Sequence, residues 1–236
     1  DGRGTKNGGV YLDVTHLSRE QIETRLPVML EQFLKFGVDI REKPMEVAPT
    51  AHHIMGGLRI TPECRTTLPG LFACGEVAGG VHGANRLGGN ALADTQVFGK
   101  RAGEFAGKTE KRVKKVNEEQ VKQQLDLLDS FLTGSDNPAG IRKQLQKVMW
   151  QGAGIFRNAA DLNKTLETVN TLSAAKIRAE TLRNLADCSI VKNMCLTSSL
   201  ICRSALIRKE SRGAHVRRDV KQTYDAQHSP FGHTYI

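Results

Sequence analysis

No run of this sequence reaches the roughly 20 uninterrupted apolar residues that a bilayer-crossing helix needs. The most apolar tract, residues 195–206, is broken by Thr197, Ser198, Ser199, Arg203 and Ser204, so no direct membrane span is expected. CxxC pairs are missing. The five cysteines are an odd number without metal-ligand spacing, which argues against a disulfide framework and against any metal site of the zinc type. Also absent are GxSxG, the P-loop, HExxH and the GxGxxG dinucleotide fingerprint; GRGTKN at 2–7 lacks both the final glycine and a preceding strand. Acidic residues are outnumbered, 25 Asp and Glu against 34 Lys and Arg, for a formal net charge of +9. The basic run Lys108, Lys111, Arg112, Lys114, Lys115 has no interleaved aromatics. The charge therefore reads as a solvated basic surface, with an acidic partner or an anionic membrane face as the sharper readings, and nucleic acid is not expected as a partner.

What remains is a chain of 236 residues, 39% hydrophobic and 25% charged, suited to one large or two small globular domains. It begins with Asp1, not Met, and residues 1–9 are polar and glycine-rich; a cut or an upstream part is expected there. Val10, Leu12 and Val14 alternate as a short strand. Ser18 with Gln21 forms a capping box for a helix reaching toward Phe36, with Pro27 bending or splitting it and Gly37 at its end. Residues 58–61 and 71–74 read as strands, the second preceded by a Pro69-Gly70 turn. Asn90 is the expected N-cap of the helix that follows. Asn117 caps a helix with Val121, Leu125, Leu128, Phe131 and Leu132 on one stripe, and Asn137-Pro138 opens another. Helical patterns then run over about 160–184 and 188–209, which predicts an antiparallel bundle; residues 211–236 have no clear period. Cys188, Cys195 and Cys202 are seven apart and share one helix face, as small core hydrophobes and weak signs of a reducing compartment.

The segment most able to carry chemistry is GEVAGGVHGANRLGGNAL at 75–92. Glycines there allow close approach of backbone to a ligand, and the segment enters a helix whose first N–H groups suit an anion, a phosphate or the electron-rich edge of a reduced flavin. A turn serving only packing has the same spacing. Arg86 stands in this loop with few side-chain neighbours; its fork suits a carboxylate, and a structural ion pair is the plain alternative. Glu76 follows an expected strand, where a carboxylate accepts from ribose hydroxyls or is merely solvated. His52 and His53 are adjacent, so on an extended strand they face opposite ways and cannot chelate one metal; one of them is a candidate hydrogen-bond donor to a cleft. His82 either faces that cleft or is structural.

PTAHHIMGG (49–57), then LPGLFACGEVAGGVHGANRLGGNAL (68–92), then ESRGAH (210–215) resembles the flavoprotein subunits of fumarate reductase and succinate dehydrogenase, and IRKQLQKVMWQGAGIFRN (141–158) resembles the start of that family's helical domain. GGNALADTQVFGKRAGE (88–104) looks most like the thiol-linked, archaeal type. The resemblance implies an α+β fragment: the tail of a capping, substrate-binding domain over 1–50, the returning end of an FAD-binding α/β domain over 51–107, an antiparallel helical bundle over 108–210 and a C-terminal segment over 211–236. It implies FAD as cofactor, with Glu76 on its ribose and Asn90, Ala91 and Leu92 presenting the helix start to its ring. It implies fumarate and succinate as substrates, with His52 hydrogen-bonding one carboxylate and Arg86 clamping one. It further implies three things about the surroundings: electrons exchanged with an iron–sulfur subunit, the N-terminal part of the FAD domain as a required complement, and a cytoplasmic protein, peripheral on the membrane through its partners. The family's proton-donating arginine lies in a GxRGEG-like motif not found here; Arg3 is not promoted to that role, so no catalytic residue is expected in this chain and the fragment alone is expected to be inactive. L-aspartate oxidase is the alternative, although its loop usually has Ala-Ser where Gly88-Gly89 stand. A non-catalytic helical scaffold docking on an iron–sulfur partner is the alternative outside enzymology.

Overall fold

The computed structural model describes residues 4–109 and 116–221. Arg3, the basic run at 111–115 and the segment 222–236 lie outside the described residues. The chain divides into two units, one up to Ile54 and one from Met55 onward.

In the first unit, strand β1 (Val10–Leu12) leads to helix α1 (Arg19–Arg25), opened by the reciprocal Ser18–Gln21 capping box. Pro27 has no N–H to continue that helix. It instead occupies the first turn of a new one, α2 (Pro27–Lys35), and Gly37 closes it by donating to the Leu34 carbonyl at 3.0 Å. Strand β2 (Met45–Val47) then pairs antiparallel with β1 in the register Val10↔Val47 and Leu12↔Met45. Ile22, Leu30, Ile40 and Met45 form the buried core beneath.

The second unit starts with strand β3 (Leu58–Arg59), shorter than the 58–61 expected. Residues 71–74 form no strand; they make only the isolated bridge Arg65↔Phe72. Their backbone is spent locally instead, with Thr66 N–H on the Leu71 carbonyl and Ala73 N–H on the Cys64 carbonyl, both at 3.0 Å. A 3₁₀ turn, Gly75–Val77, feeds strand β4 (Ala78–Gly79), which runs parallel to β3. Helix α3 (Asn90–Gly107) follows the glycine-rich loop.

Helix α4 (Glu118–Ser130) is capped by Asn117, whose side chain accepts from Gln120 N–H. Its apolar stripe is largely exposed; of it, Phe131 alone is buried. Helix α5 (Pro138–Ala153) opens on Asn137 and Pro138 as expected. Strand β5 (Phe156–Arg157), helix α6 (Ala159–Ser173), helix α7 (Leu182–Ile207) and strand β6 (Val216–Arg217) complete the unit, with β5 and β6 parallel. The helical pattern expected over 160–184 breaks after Ser173, and Thr181 caps a separate helix by accepting from Asn184 N–H.

Helices α5, α6 and α7 pack on one another through Leu145, Val169, Leu172 and Cys195 and, further along, Ala153, Leu162, Cys202 and Ala205. Cys195 and Cys202 are buried in this seam and Cys188 in a neighbouring cluster with Phe131, Ile177, Ala179 and Val191, and burial pushes each thiol's pKa up. They are core residues, as their spacing implied. Helix α7 is long and apolar enough to cross a bilayer by length and composition alone. In this structure one of its stripes is spent on the seam with α5 and α6.

At the crossing of α5 and α6 the helices meet at Gly152. A Cβ placed there would lie 1.9 Å from Thr165 Oγ1 and 3.0 Å from the Asp161 carbonyl. Gly152→Ala should therefore destabilise the bundle by about 1–3 kcal/mol, the usual cost of overpacking. Urea denaturation would show this as a lower midpoint at unchanged slope; an unchanged midpoint would mean the helices do not cross this closely.

Candidate functional site

The glycine-rich segment is an open loop laid over the start of α3. The N-cap of α3 is Gly89, not Asn90. Gly89 adopts a left-handed conformation (φ 82°) and makes no side-chain cap. A residue with a Cβ is disfavoured in that conformation, so the chain turns into the helix at glycine and Asn90 becomes the first helical residue. Asn90 N–H is taken by the Leu87 carbonyl at 3.2 Å. The following first-turn N–H groups, on Ala91 and Leu92, have neither an i−4 helical acceptor nor a cap side chain. Leu87 and Leu92 flank this turn as exposed apolar side chains.

The turn bearing Glu76 packs against α3, since a Cβ on Gly75 would lie 3.2 Å from Thr95 Cγ2. The Glu76 side chain is exposed. Arg86 is half-buried in the loop and donates through Nη1 to the Leu87 carbonyl at 3.2 Å. The fold thus gathers Glu76, Arg86, Asn90, Ala91 and Leu92 on one unit. His52 belongs to the other unit, in a stretch with no strand; it is exposed, and its Nδ1 lies 3.0 Å from the Thr50 carbonyl.

Two further features, His82 and ESRGAH, are named in the sequence without a settled role. His82, left open between a cleft and a structural place, is packed under the loop. Its Nε2 lies 3.2 Å from Asp94 Oδ2 on α3, with the two side chains only 7% and 3% exposed. Asp94 sits on a helix face with nothing in its spacing to mark it. The second feature is ESRGAH. Residues 212–215 form a tight turn in which Arg212 N–H donates to the His215 carbonyl at 2.7 Å and His215 N–H returns to Arg212 at 3.0 Å. Gly213 takes the first central place with φ 57°, the position a hairpin turn of this kind gives to glycine. This turn abuts the glycine-rich loop: Ala214 N–H lies 3.4 Å from the Ala84 carbonyl.

A buried basic network fixes that turn. Arg217 is almost fully buried; its Nη1 donates to the Ala205 and Arg208 carbonyls at 2.8 and 3.0 Å, and it forks onto Asp219 at 2.8 and 2.9 Å. The fork holds the Asp219 carboxyl far below the usual carboxylate range. Arg157 Nη1 lies 2.9 Å from His215 Nδ1. A guanidinium only donates, so Nδ1 is the acceptor and Nε2–H points to the Arg208 carbonyl at 3.2 Å. Burial, with the neighbouring arginines, lowers the His215 pKa, consistent with a neutral ring. Glu210, fully buried, is paired with Arg208 and Arg212.

Comparison with known proteins finds relatives over most of the chain. A model described as an FAD binding domain matches residues 1–92, and one described as the fumarate reductase flavoprotein C-terminal region matches 142–235. The chain is 50% identical to a component of the CoM/CoB fumarate reductase of Methanothermobacter marburgensis, over 94% of this chain and 42% of that protein. It is 36% identical to the fumarate reductase flavoprotein subunit of Escherichia coli, over 89% of this chain and 37% of that one. The structure of Mycobacterium smegmatis Sdh1 in complex with UQ1 superposes with a TM-score of 0.80 at 37% identity, covering 95% of this chain and 40% of that one. The chain therefore spans about two fifths of the length of the relatives it matches.

Proposed function

Because the chain belongs to the family of fumarate reductase and succinate dehydrogenase flavoproteins, we propose that it carries part of an FAD-dependent site that interconverts fumarate and succinate. In domain terms, residues 1–50 end a capping domain, 51–107 return to close the FAD domain, 108–210 form the helical domain and 211–236 the C-terminal segment. The observation that carries the reading is Arg86, held in a glycine-rich loop beside the uncapped first turn of α3.

The residues present fit the cofactor. The first-turn N–H groups of α3 at Ala91 and Leu92 offer donors and partial positive charge to an electron-rich ring edge, and Asn90 begins the turn that presents them. The exposed Leu87 and Leu92 offer apolar surface to a flat ring. In this reading Glu76, exposed on a turn packed against α3, accepts from ribose hydroxyls. Bound FAD would supply hydride transfer. Arg86 binds a substrate carboxylate through its planar fork, a geometry an ammonium cannot reproduce. His52 donates a hydrogen bond to a substrate carboxylate. Proton delivery is assigned to no residue of this chain. An iron–sulfur subunit exchanges the electrons, and the complex lies on the cytoplasmic face of the membrane through its partner subunits.

The complete enzyme, natively purified, should show a flavin absorbance band and should oxidise a reduced low-potential dye when fumarate is added. Absence of flavin that FAD cannot restore would sink the oxidoreductase reading and favour a scaffold. Oxygen-dependent turnover of aspartate without fumarate reduction would make the protein an L-aspartate oxidase instead.

A further inference from the structure

Arg86 stands in a loop rich in glycine, yet a carboxylate clamp works only if its fork is held in place. The loop is tied down at two points, four and two residues before Arg86. At the first, His82 is pinned beneath it to Asp94 of α3, with both side chains more than nine-tenths buried. At the second, the Ala84 carbonyl is pressed against the turn at Gly213. A Cβ on Gly213 would lie 2.2 Å from the Ala84 oxygen and 2.8 Å from Ala84 Cβ. The turn cannot give way easily, because the Arg217 network and the His215 bonds anchor it on both sides.

We propose that Gly213 and His82 are positioning residues for Arg86: through Ala84 and Asp94 they set where the guanidinium sits and so how tightly a dicarboxylate is held. Neither touches substrate. The inference rests on the reading of Arg86 as the carboxylate clamp. Gly213 is required here for two reasons, its left-handed φ and the lack of room for a Cβ. An added methyl can fit only if the Ala84 segment moves away by about 1 Å, and a misplacement of that size in a positioning group costs about 10²-fold in rate.

The test compares Gly213→Ala, His82→Ala, His82→Gln and Arg86→Lys in the complete enzyme. Each is assayed for fumarate kcat/KM, flavin content, thermal midpoint and binding of succinate, read as a perturbation of the flavin spectrum. Gly213→Ala should lower kcat/KM about 100-fold and weaken succinate binding, with flavin content kept. His82→Ala should lower both about tenfold. His82→Gln should recover most of that loss, because its amide still donates to Asp94. A merely structural role would instead lower flavin content and thermal midpoint together with activity, and Gln would not rescue it. Wild-type succinate binding in both Gly213→Ala and His82→Ala, while Arg86→Lys loses it, would overturn the positioning role and leave the clamp reading standing. Wild-type binding in Arg86→Lys would overturn the clamp reading itself. If Gly213→Ala is too unstable to purify, the contrast between His82→Ala and His82→Gln decides, and equal loss in the two overturns the proposal.

Discussion

Arg86→Lys in the complete enzyme is expected to reduce fumarate turnover by about 10²–10³-fold, the range seen when one preorganised donor is removed from a charge-stabilising site. FAD should stay bound. The charge is preserved, so long-range attraction of an anionic substrate is little changed; what is lost is the planar, two-pronged donor set. Lysine also cannot both reach a ligand and keep the bond that Arg86 Nη1 makes to the Leu87 carbonyl. The cofactor contacts proposed for this chain lie on Glu76 and on the backbone of the α3 start, which the substitution leaves intact. Steady-state rates with fumarate, set beside a flavin spectrum of the same sample, separate the two effects. Unchanged turnover would remove Arg86 from the site.

Arg217→Met is expected to destabilise the protein by about 1–3 kcal/mol, the cost of leaving buried acceptors without the buried donor they had. Methionine fills much of the volume but takes a donor from the Ala205 and Arg208 carbonyls at the end of α7, leaving Arg208 only the bond from His215 Nε2–H, and leaves Asp219 without its fork. Asp219 has a second task, accepting the Ala159 N–H at 2.8 Å at the start of α6. Losing the arginine therefore loosens two helix ends together. A fall of several degrees in the thermal midpoint is the expected reading, and replacing both Arg217 and Asp219 should cost less than the sum of the single changes. A midpoint unchanged in Arg217→Met would show that the network contributes nothing net.

Local punctuation is readable in the sequence. The Ser18–Gln21 box, the break at Pro27, the Asn117 and Asn137-Pro138 helix starts and the buried cysteine stripe all stand where the sequence places them. Each rests on a donor, an acceptor or a spacing that acts within a few residues. The failures share a different cause. Residues 174–181 are good helix formers, yet the Asp136 carboxylate captures Lys176 N–H at 2.8 Å and the Asp136 backbone pairs on to Arg178; a contact across forty residues overrides propensity. Residues 71–74 make no strand because their backbone closes a tight turn on Thr66 and Cys64, with a single bridge at Arg65↔Phe72. Asn90 looked like a cap because its side chain suits one, but the left-handed entry at Gly89 shifts the helix start by one residue. At the site, the chemically pointed residues were legible by type. The supports under them, Asp94 and Gly213, were not, because a buried aspartate and a turn glycine have no signature until the partner is seen.

The contact between Ala84 and Gly213 also orders events in time. A ribosome releases the loop that carries Arg86 long before it reaches the turn that braces it, and at about 5–20 residues per second the interval lasts roughly 6 to 25 seconds. Until then that brace is missing. A polypeptide stopped short by premature termination or a nick ahead of residue 213 would keep every residue proposed to touch a ligand and still lack the brace. The brace on that loop is thus complete only once synthesis has carried through the helical region.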